Sequence, residues 1–164
     1  MFKHKKIIIN GKEYYQTIYV NKHKTEFYYL NGKLHREDSP AIECVNSDKY
    51  WWVNGNRHRE NGPAVEYASG TKEWWLNGKR HREGGPAVVW NNGEKQWYKN
   101  DKLHREDGPA IECANGDKYW YKNGKRHRDD GPAIEHTSGS KVWYLYDIHY
   151  SKEEYGEQCL NIKK

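Results

Sequence analysis

Histidine, arginine and a carboxylate stand side by side at residues 35–37, 58–60, 81–83, 104–106 and 127–129 of this 164-residue chain. These are side chains of proton transfer, anion binding and metal ligation, so the phrase invites a chemical reading. A catalytic constellation, however, is required once and draws different residues from different elements. Here the phrase recurs at a constant spacing of 23 residues, and each copy closes on Pro-Ala. Recurrence makes His35, His58, His81, His104 and His127, with Pro40, Pro63, Pro86, Pro109 and Pro132, repeated structural positions.

The single-site alternatives fail one by one. His127-Arg128-Asp129 matches the catalytic loop of protein kinases superficially, but no Gly-rich phosphate loop, partner lysine strand or Asp-Phe-Gly accompanies it. Equivalent side chains about 10 Å apart on parallel repeats do not share a zinc, whose ligand bonds are about 2.0–2.3 Å. Cys44, Cys113 and Cys159 lack a Cys-x-x-Cys partner and read as fillers or surface thiols. Cys44 and Cys113 lie three repeats apart, in equivalent places that do not meet, which fits a reducing, cytoplasmic compartment. The expectation is a protein without enzymatic activity, cofactor or metal.

The elements that carry the phrase follow from the repeat. In register, the copies read WWVNGNRHRENGPAVEYASGTKE from Trp51, WWLNGKRHREGGPAVVWNNGEKQ from Trp74, WYKNDKLHREDGPAIECANGDKY from Trp97 and WYKNGKRHRDDGPAIEHTSGSKV from Trp120. A variant copy starts at Tyr28, and a sixth fades after Trp143. Such a short unit holds two short strands. One starts at the alanine after each proline and ends in a Gly-centred turn at Ser69-Gly70, Asn92-Gly93, Asn115-Gly116 and Ser138-Gly139. The first copy has Asn46-Ser47 there instead. The other strand runs through the aromatic pairs Trp51-Trp52, Trp74-Trp75, Trp97-Tyr98, Trp120-Tyr121 and Trp143-Tyr144, whose neighbours point to opposite faces. A connection through the His-Arg phrase then folds over one face. IIINGKEYYQ at residues 7–16 reads as a hairpin turning at Asn10-Gly11, and Ser151 with Glu154 forms a helix capping box. The predicted fold is all-β: an elongated single-layer antiparallel sheet of tandem β-hairpins, about thirteen strands and roughly 60 Å long. Residues 1–24 form a basic hairpin cap, 25–147 the repeat array and 148–164 a short capping helix with its tail.

Composition agrees with a folded array. Mean hydropathy is −1.28, yet 8 Trp, 14 Tyr and 2 Phe supply an aromatic core. The formal charge of +5 resides in residues 1–24, where Lys3, Lys5, Lys6, Lys12, Lys22 and Lys24 face the single acid Glu13. Ile7-Ile8-Ile9 is far short of a membrane span or signal peptide, so a soluble chain without a membrane span is expected.

The pattern aromatic-x-x-Asn-Gly-Lys-x-His, carried by Trp74, Asn77, Gly78, Lys79 and His81, resembles the MORN repeat in its divergent bacterial and viral form, over residues 28–147. An Arg-acid-x-Gly-Pro-Ala stretch replaces the glycine that follows the histidine position in the standard repeat. The resemblance implies a β-hairpin rod that binds proteins or associates with itself, and a phage or viral origin in which the partner is a host protein such as a defence component.

Two surfaces are candidate partner contacts. The aromatic rows Trp51, Trp52, Trp74, Trp75, Trp97, Tyr98, Trp120, Tyr121, Trp143 and Tyr144 include one expected exposed strip, because short loops do not hide both faces of a single sheet. Arg59, Arg82, Arg105 and Arg128, with Arg36, are expected either to face a partner or to reach Glu60, Glu83, Glu106 and Asp129 in the next copy as a ladder. Nucleic acid or nucleotide stacking on the rings, helped by the basic arm, is the alternative.

Overall fold

The computed structural model describes residues 2–19 and 25–162 and divides into two compact units, Met1–Arg80 and His81–Lys164. Lys22 and Lys24 of the basic arm lie outside the described residues.

The first unit begins with the expected hairpin. Strands β1 (Phe2–Ile9) and β2 (Lys12–Tyr19) pair antiparallel, with Ile9 opposite Lys12. Asn10 and Gly11 both take positive φ, 49° and 74°, the two-residue turn whose twist matches the flanking strands. Then come β3 (Glu26–Leu30), β4 (Lys33–Leu34), β5 (Ile42–Glu43), β6 (Lys49–Tyr50), β7 (Trp52–Val53), β8 (Asn56–Arg57), β9 (Val65–Glu66), β10 (Lys72–Glu73), β11 (Trp75–Leu76) and β12 (Lys79–Arg80). Strands β1, β2, β3, β5, β6, β9 and β10 lie in that order in an antiparallel sheet, while β4 pairs with β3, and β7–β8 and β11–β12 are separate hairpins.

The second unit repeats the scheme. Its sheet runs through β13 (Val88–Val89), β14 (Lys95–Gln96), β17 (Ile111–Glu112), β18 (Lys118–Tyr119), β21 (Ile134–Glu135), β22 (Lys141–Leu145) and β23 (Ile148–Tyr150). The side hairpins are β15 (Tyr98–Lys99) with β16 (Lys102–Leu103) and β19 (Tyr121–Lys122) with β20 (Lys125–Arg126). Helix α1 (Lys152–Ile162) closes the chain on the expected capping box: Ser151 N–H donates to Glu154 Oε2 at 2.8 Å and Glu154 N–H to Ser151 Oγ at 3.2 Å. The tandem antiparallel hairpins, the initial hairpin and the short terminal helix are as the sequence predicts.

Each repeat nevertheless holds four short strands, not two. The Asn-Gly after the aromatic pair does not open a long connection; it is itself a tight turn, with φ of 52° and 81° at Asn54-Gly55 and 53° and 86° at Asn123-Gly124. At the first aromatic residue the strand changes partner. Trp51 N–H donates to Ala64 C=O at 2.8 Å while Trp51 C=O accepts His58 N–H at 3.1 Å, and Trp97 and Trp120 do the same with Ala110 and His104, and with Ala133 and His127. Residues before it therefore join the main sheet, and residues after it join the side hairpin. Asn46-Ser47 still forms its turn, with the serine forced to φ 71°.

The core is built where the repeats touch. Ala41, Ala64, Ala87, Ala110 and Ala133 are fully buried, each at the start of a main-sheet strand. Val65 and Val88 are the largest side chains among the fully buried ones, and Tyr14, Tyr28, Trp51, Leu145 and Tyr155 complete the buried set with Ile134. Side hairpins are tied together by backbone bonds within each unit: Gly55 N–H to Leu34 C=O, Gly78 to Arg57, Gly124 to Leu103 and Asp147 to Arg126, at 2.8–3.0 Å.

Candidate protein-binding surface

Five loops, 35–40, 58–63, 81–86, 104–109 and 127–132, carry the His-Arg-acid phrase between a side hairpin and the next main-sheet strand. Arg59, Arg105 and Arg128 pair with a carboxylate of their own repeat, not with the acid of the next copy that a ladder requires. Arg36, Arg59, Arg105 and Arg128 lay their guanidinium groups 3.9–4.2 Å over the rings of Tyr28, Trp51, Trp97 and Trp120, the first aromatic of the same repeat. Nη1 of Arg36, Arg59, Arg82, Arg105 and Arg128 donates to the proline carbonyl four residues on, at 3.1–3.3 Å. Glu66, Glu112 and Glu135, on the following strand, accept from the same atom of Arg59, Arg105 and Arg128 at 2.8–2.9 Å.

The local sequence explains this inward turn. A Cβ on Gly62, Gly85, Gly108 or Gly131 would stand 2.9–3.1 Å from the guanidinium carbon of the preceding arginine, so the glycine before each of these prolines leaves room for a cation sandwiched against a ring. A desolvated cation–π pair contributes about 2 kcal/mol, more than an exposed salt bridge to a neighbour loop would. Two of the acids expected to receive the arginines instead face the histidine of their own loop: Nε2 lies 3.0 Å from Glu83 in His81 and 2.9 Å from Glu106 in His104.

Among side chains of the phrase, histidine links one copy to the next, beside backbone bonds such as Arg59 N–H to Trp75 C=O and Arg105 N–H to Tyr121 C=O. The Nδ1 atoms of His35, His58, His81 and His104 accept the backbone N–H of Asn54, Asn77, Asn100 and Asn123, the turn residue of the next side hairpin, at 3.1–3.3 Å. The same Nδ1 atoms of His35, His58 and His81 lie 2.9–3.1 Å from Oδ1 of Asn54, Asn77 and Asn100. His127 is the exception: Tyr146 stands where asparagine would, the two rings are 4.0 Å apart, and Nδ1 is buried without a hydrogen-bond partner. Burial holds the His127 pKa below the ordinary imidazole value.

The aromatic rows are not bare. Trp51 is buried, and Trp52, Trp74, Trp75, Trp97, Tyr98, Trp120, Tyr121, Trp143 and Tyr144 are all half-buried. The second rings are flanked by the arginine that precedes the loop histidine: Arg57 lies 5.5 Å from the Trp52 ring and 5.0 Å from Trp75, and Arg126 lies 4.1 Å from Tyr144. The expected exposed strip is therefore absent from these positions, because side hairpins and loops together cover what a two-strand repeat would have left open. Sequence reasoning passed over Arg57, Arg80 and Arg126; their recurrence just before His58, His81 and His127 was the available signal. Trp90 is the exposed tryptophan, 41 % accessible, and was not singled out.

What remains open is space between consecutive loops within each unit. In the first unit a groove of about 360 Å³ lies beside Glu37, Val53, His58 and Glu60. In the second, a groove of about 350 Å³ separates loop 81–86 from loop 104–109, and one of about 550 Å³ separates loop 104–109 from loop 127–132. Their rims are the exposed acids Glu60, Glu83, Glu106, Asp107, Asp129 and Asp130. Among the described residues no group of three His, Cys, Asp or Glu side chains is placed to hold a metal, and the three cysteines are free thiols. Burial pushes the Cys44 and Cys113 thiols up, away from reactivity. Among the described residues no helix is long and apolar enough to cross a membrane. No family model matches the chain, and no curated protein matches it.

Proposed function

We propose that the chain is a non-enzymatic, MORN-like protein-binding module whose contact surface is the series of grooves between its His-Arg-acid loops. One observation carries this reading: the groups in the phrase that could do chemistry are engaged inside the protein, Arg on ring and proline carbonyl, His on the next repeat, while an open groove with the same lining recurs from loop to loop. Repetition of one modest groove suits an extended macromolecular partner rather than a small substrate. In a phage or viral setting that partner would be a host protein, such as a component of defence, and occupancy would be the means of action.

Nucleic acid is the weaker reading. Two lysines of the basic arm are held by carboxylates, Lys6 by Glu13 at 2.6 Å and Lys12 by Glu37 at 2.7 Å, and the rings meant for stacking are buried or half-buried. Affinity capture of the tagged chain from its native or host cells, followed by titration of the purified partner at low and high salt, tests the choice. A stoichiometric protein complex that survives high salt supports it. Recovery of nucleic acid alone, with affinity falling steeply as salt rises, overturns it.

A further inference from the structure

The chain fills one copy of its groove with its own side chain. Helix α1 starts where a sixth loop would begin, and Tyr155 stands one repeat beyond Pro132. Its hydroxyl donates to Arg128 C=O at 2.8 Å and accepts Gly131 N–H at 3.0 Å, and the residue is 8 % accessible. Burial raises the Tyr155 pKa, so the phenol keeps the proton that this donation needs. The two backbone groups bridged belong to the repeated phrase, not to anything peculiar to the last loop.

Their counterparts one repeat earlier are Arg105 C=O and Gly108 N–H, and both residues line the groove of about 550 Å³ between loops 104–109 and 127–132. Among the described residues no hydrogen bond falls on either group. The groove volume lies in the range that admits a buried aromatic side chain. Trp120, under its own arginine, and Lys122 line it as well.

Resting on the protein-binding reading, we propose that this groove is a docking site for a helical segment of a protein partner that presents a tyrosine. The phenolic hydroxyl bridges Arg105 C=O and Gly108 N–H as Tyr155 bridges Arg128 and Gly131. Specificity then lies in the hydroxyl: phenylalanine fills the same space but leaves a buried carbonyl and N–H without partners.

The test uses the intact protein and two synthetic peptides with the sequence of residues 151–162, one natural and one with Tyr155→Phe. Backbone amide shifts are followed by NMR as each peptide is added, which detects weak, saturable binding. The natural peptide is expected to move the Gly108 amide, and the Phe peptide to bind roughly 10-fold more weakly. Movement of Gly131 alone would mean that the peptide only displaces α1, and this overturns the proposal, as does equal binding of the two peptides. A captured partner that leaves Gly108 unmoved removes this inference and keeps the protein-binding reading. Failure to find any protein partner, with Gly108 still moved by the natural peptide, removes that reading and leaves a groove with tyrosine selectivity.

Discussion

Loops 104–109 and 127–132 are nearly the same words, LHREDGPAIE and RHRDDGPAIE over residues 103–112 and 126–135, yet they end in different surroundings. The arginine behaves alike in both. Arg105 and Arg128 stack on Trp97 and Trp120 at 4.0 and 4.2 Å, reach Pro109 and Pro132, and bind Glu112 and Glu135 at 2.8 Å. The histidine does not. His104 Nδ1 takes the N–H of Asn123, whereas His127, one repeat on, meets the Tyr146 ring and has no partner for Nδ1. The difference teaches that the phrase has a self-contained half and a dependent half. Every partner of the guanidinium group lies within its own repeat, while the histidine ring depends on what the following repeat supplies; the arginine backbone N–H also reaches the following repeat, Arg105 to Tyr121 C=O and Arg128 to Tyr144 C=O at 3.3 Å.

The largest effect should come from removing the shared half. Arg105→Leu and Arg128→Leu each lose a cation–π contact and charge-assisted hydrogen bonds, and each should cost about 3 kcal/mol in denaturant unfolding. Losses of similar size at the two positions fit a clamp confined to one repeat; a much smaller loss at either would break the comparison.

A middle effect is expected where only the last loop has a cap. Tyr155→Phe removes the hydroxyl bridging Arg128 and Gly131 and should cost about 1.5 kcal/mol. Hydrogen exchange should then quicken at Gly131 and stay unchanged at Gly108; equal change at both would remove the distinction between a filled groove and an open one.

The smallest effects lie in the histidines. His104→Phe leaves the Asn123 N–H without its acceptor and should cost about 1 kcal/mol, whereas His127→Phe, which already has an aromatic neighbour, should be close to neutral at pH 8. The pH dependence sharpens the contrast. The His127 pKa is lower in the folded state, so its contribution to stability is present above the unfolded value of about 6.5 and is lost as pH falls below it. Melting curves between neutral pH and pH 5 should fall less steeply for His127→Phe than for the natural protein. An unchanged slope would mean that the ring is not held neutral by burial.

Much of the fold was legible beforehand because its signals are local. The turn at Asn10-Gly11, the Gly-centred hairpins, the strand starts at Pro-Ala and the Ser151/Glu154 box each rest on residues within a few positions of one another. The second hairpin in each repeat was written just as locally, in Asn-Gly, but the histidine phrase drew the reading toward one long connection. The site was less legible. Whether Arg105 faces inward depends on a ring eight residues back and a small residue three residues on, Gly108 here and Ser39 in the first copy, and that coincidence has meaning only once the chain has turned twice.

The amino-acid order by itself determined the period, the turn positions and the neutral balance of the array beyond residue 24, because these depend on φ preferences and counts that no neighbour alters. Tertiary structure alone decided which groups face one another. It placed arginine on tryptophan, histidine on the next turn and Tyr155 in the last groove, because burial and hydrogen-bond geometry depend on distances that sequence spacing does not contain.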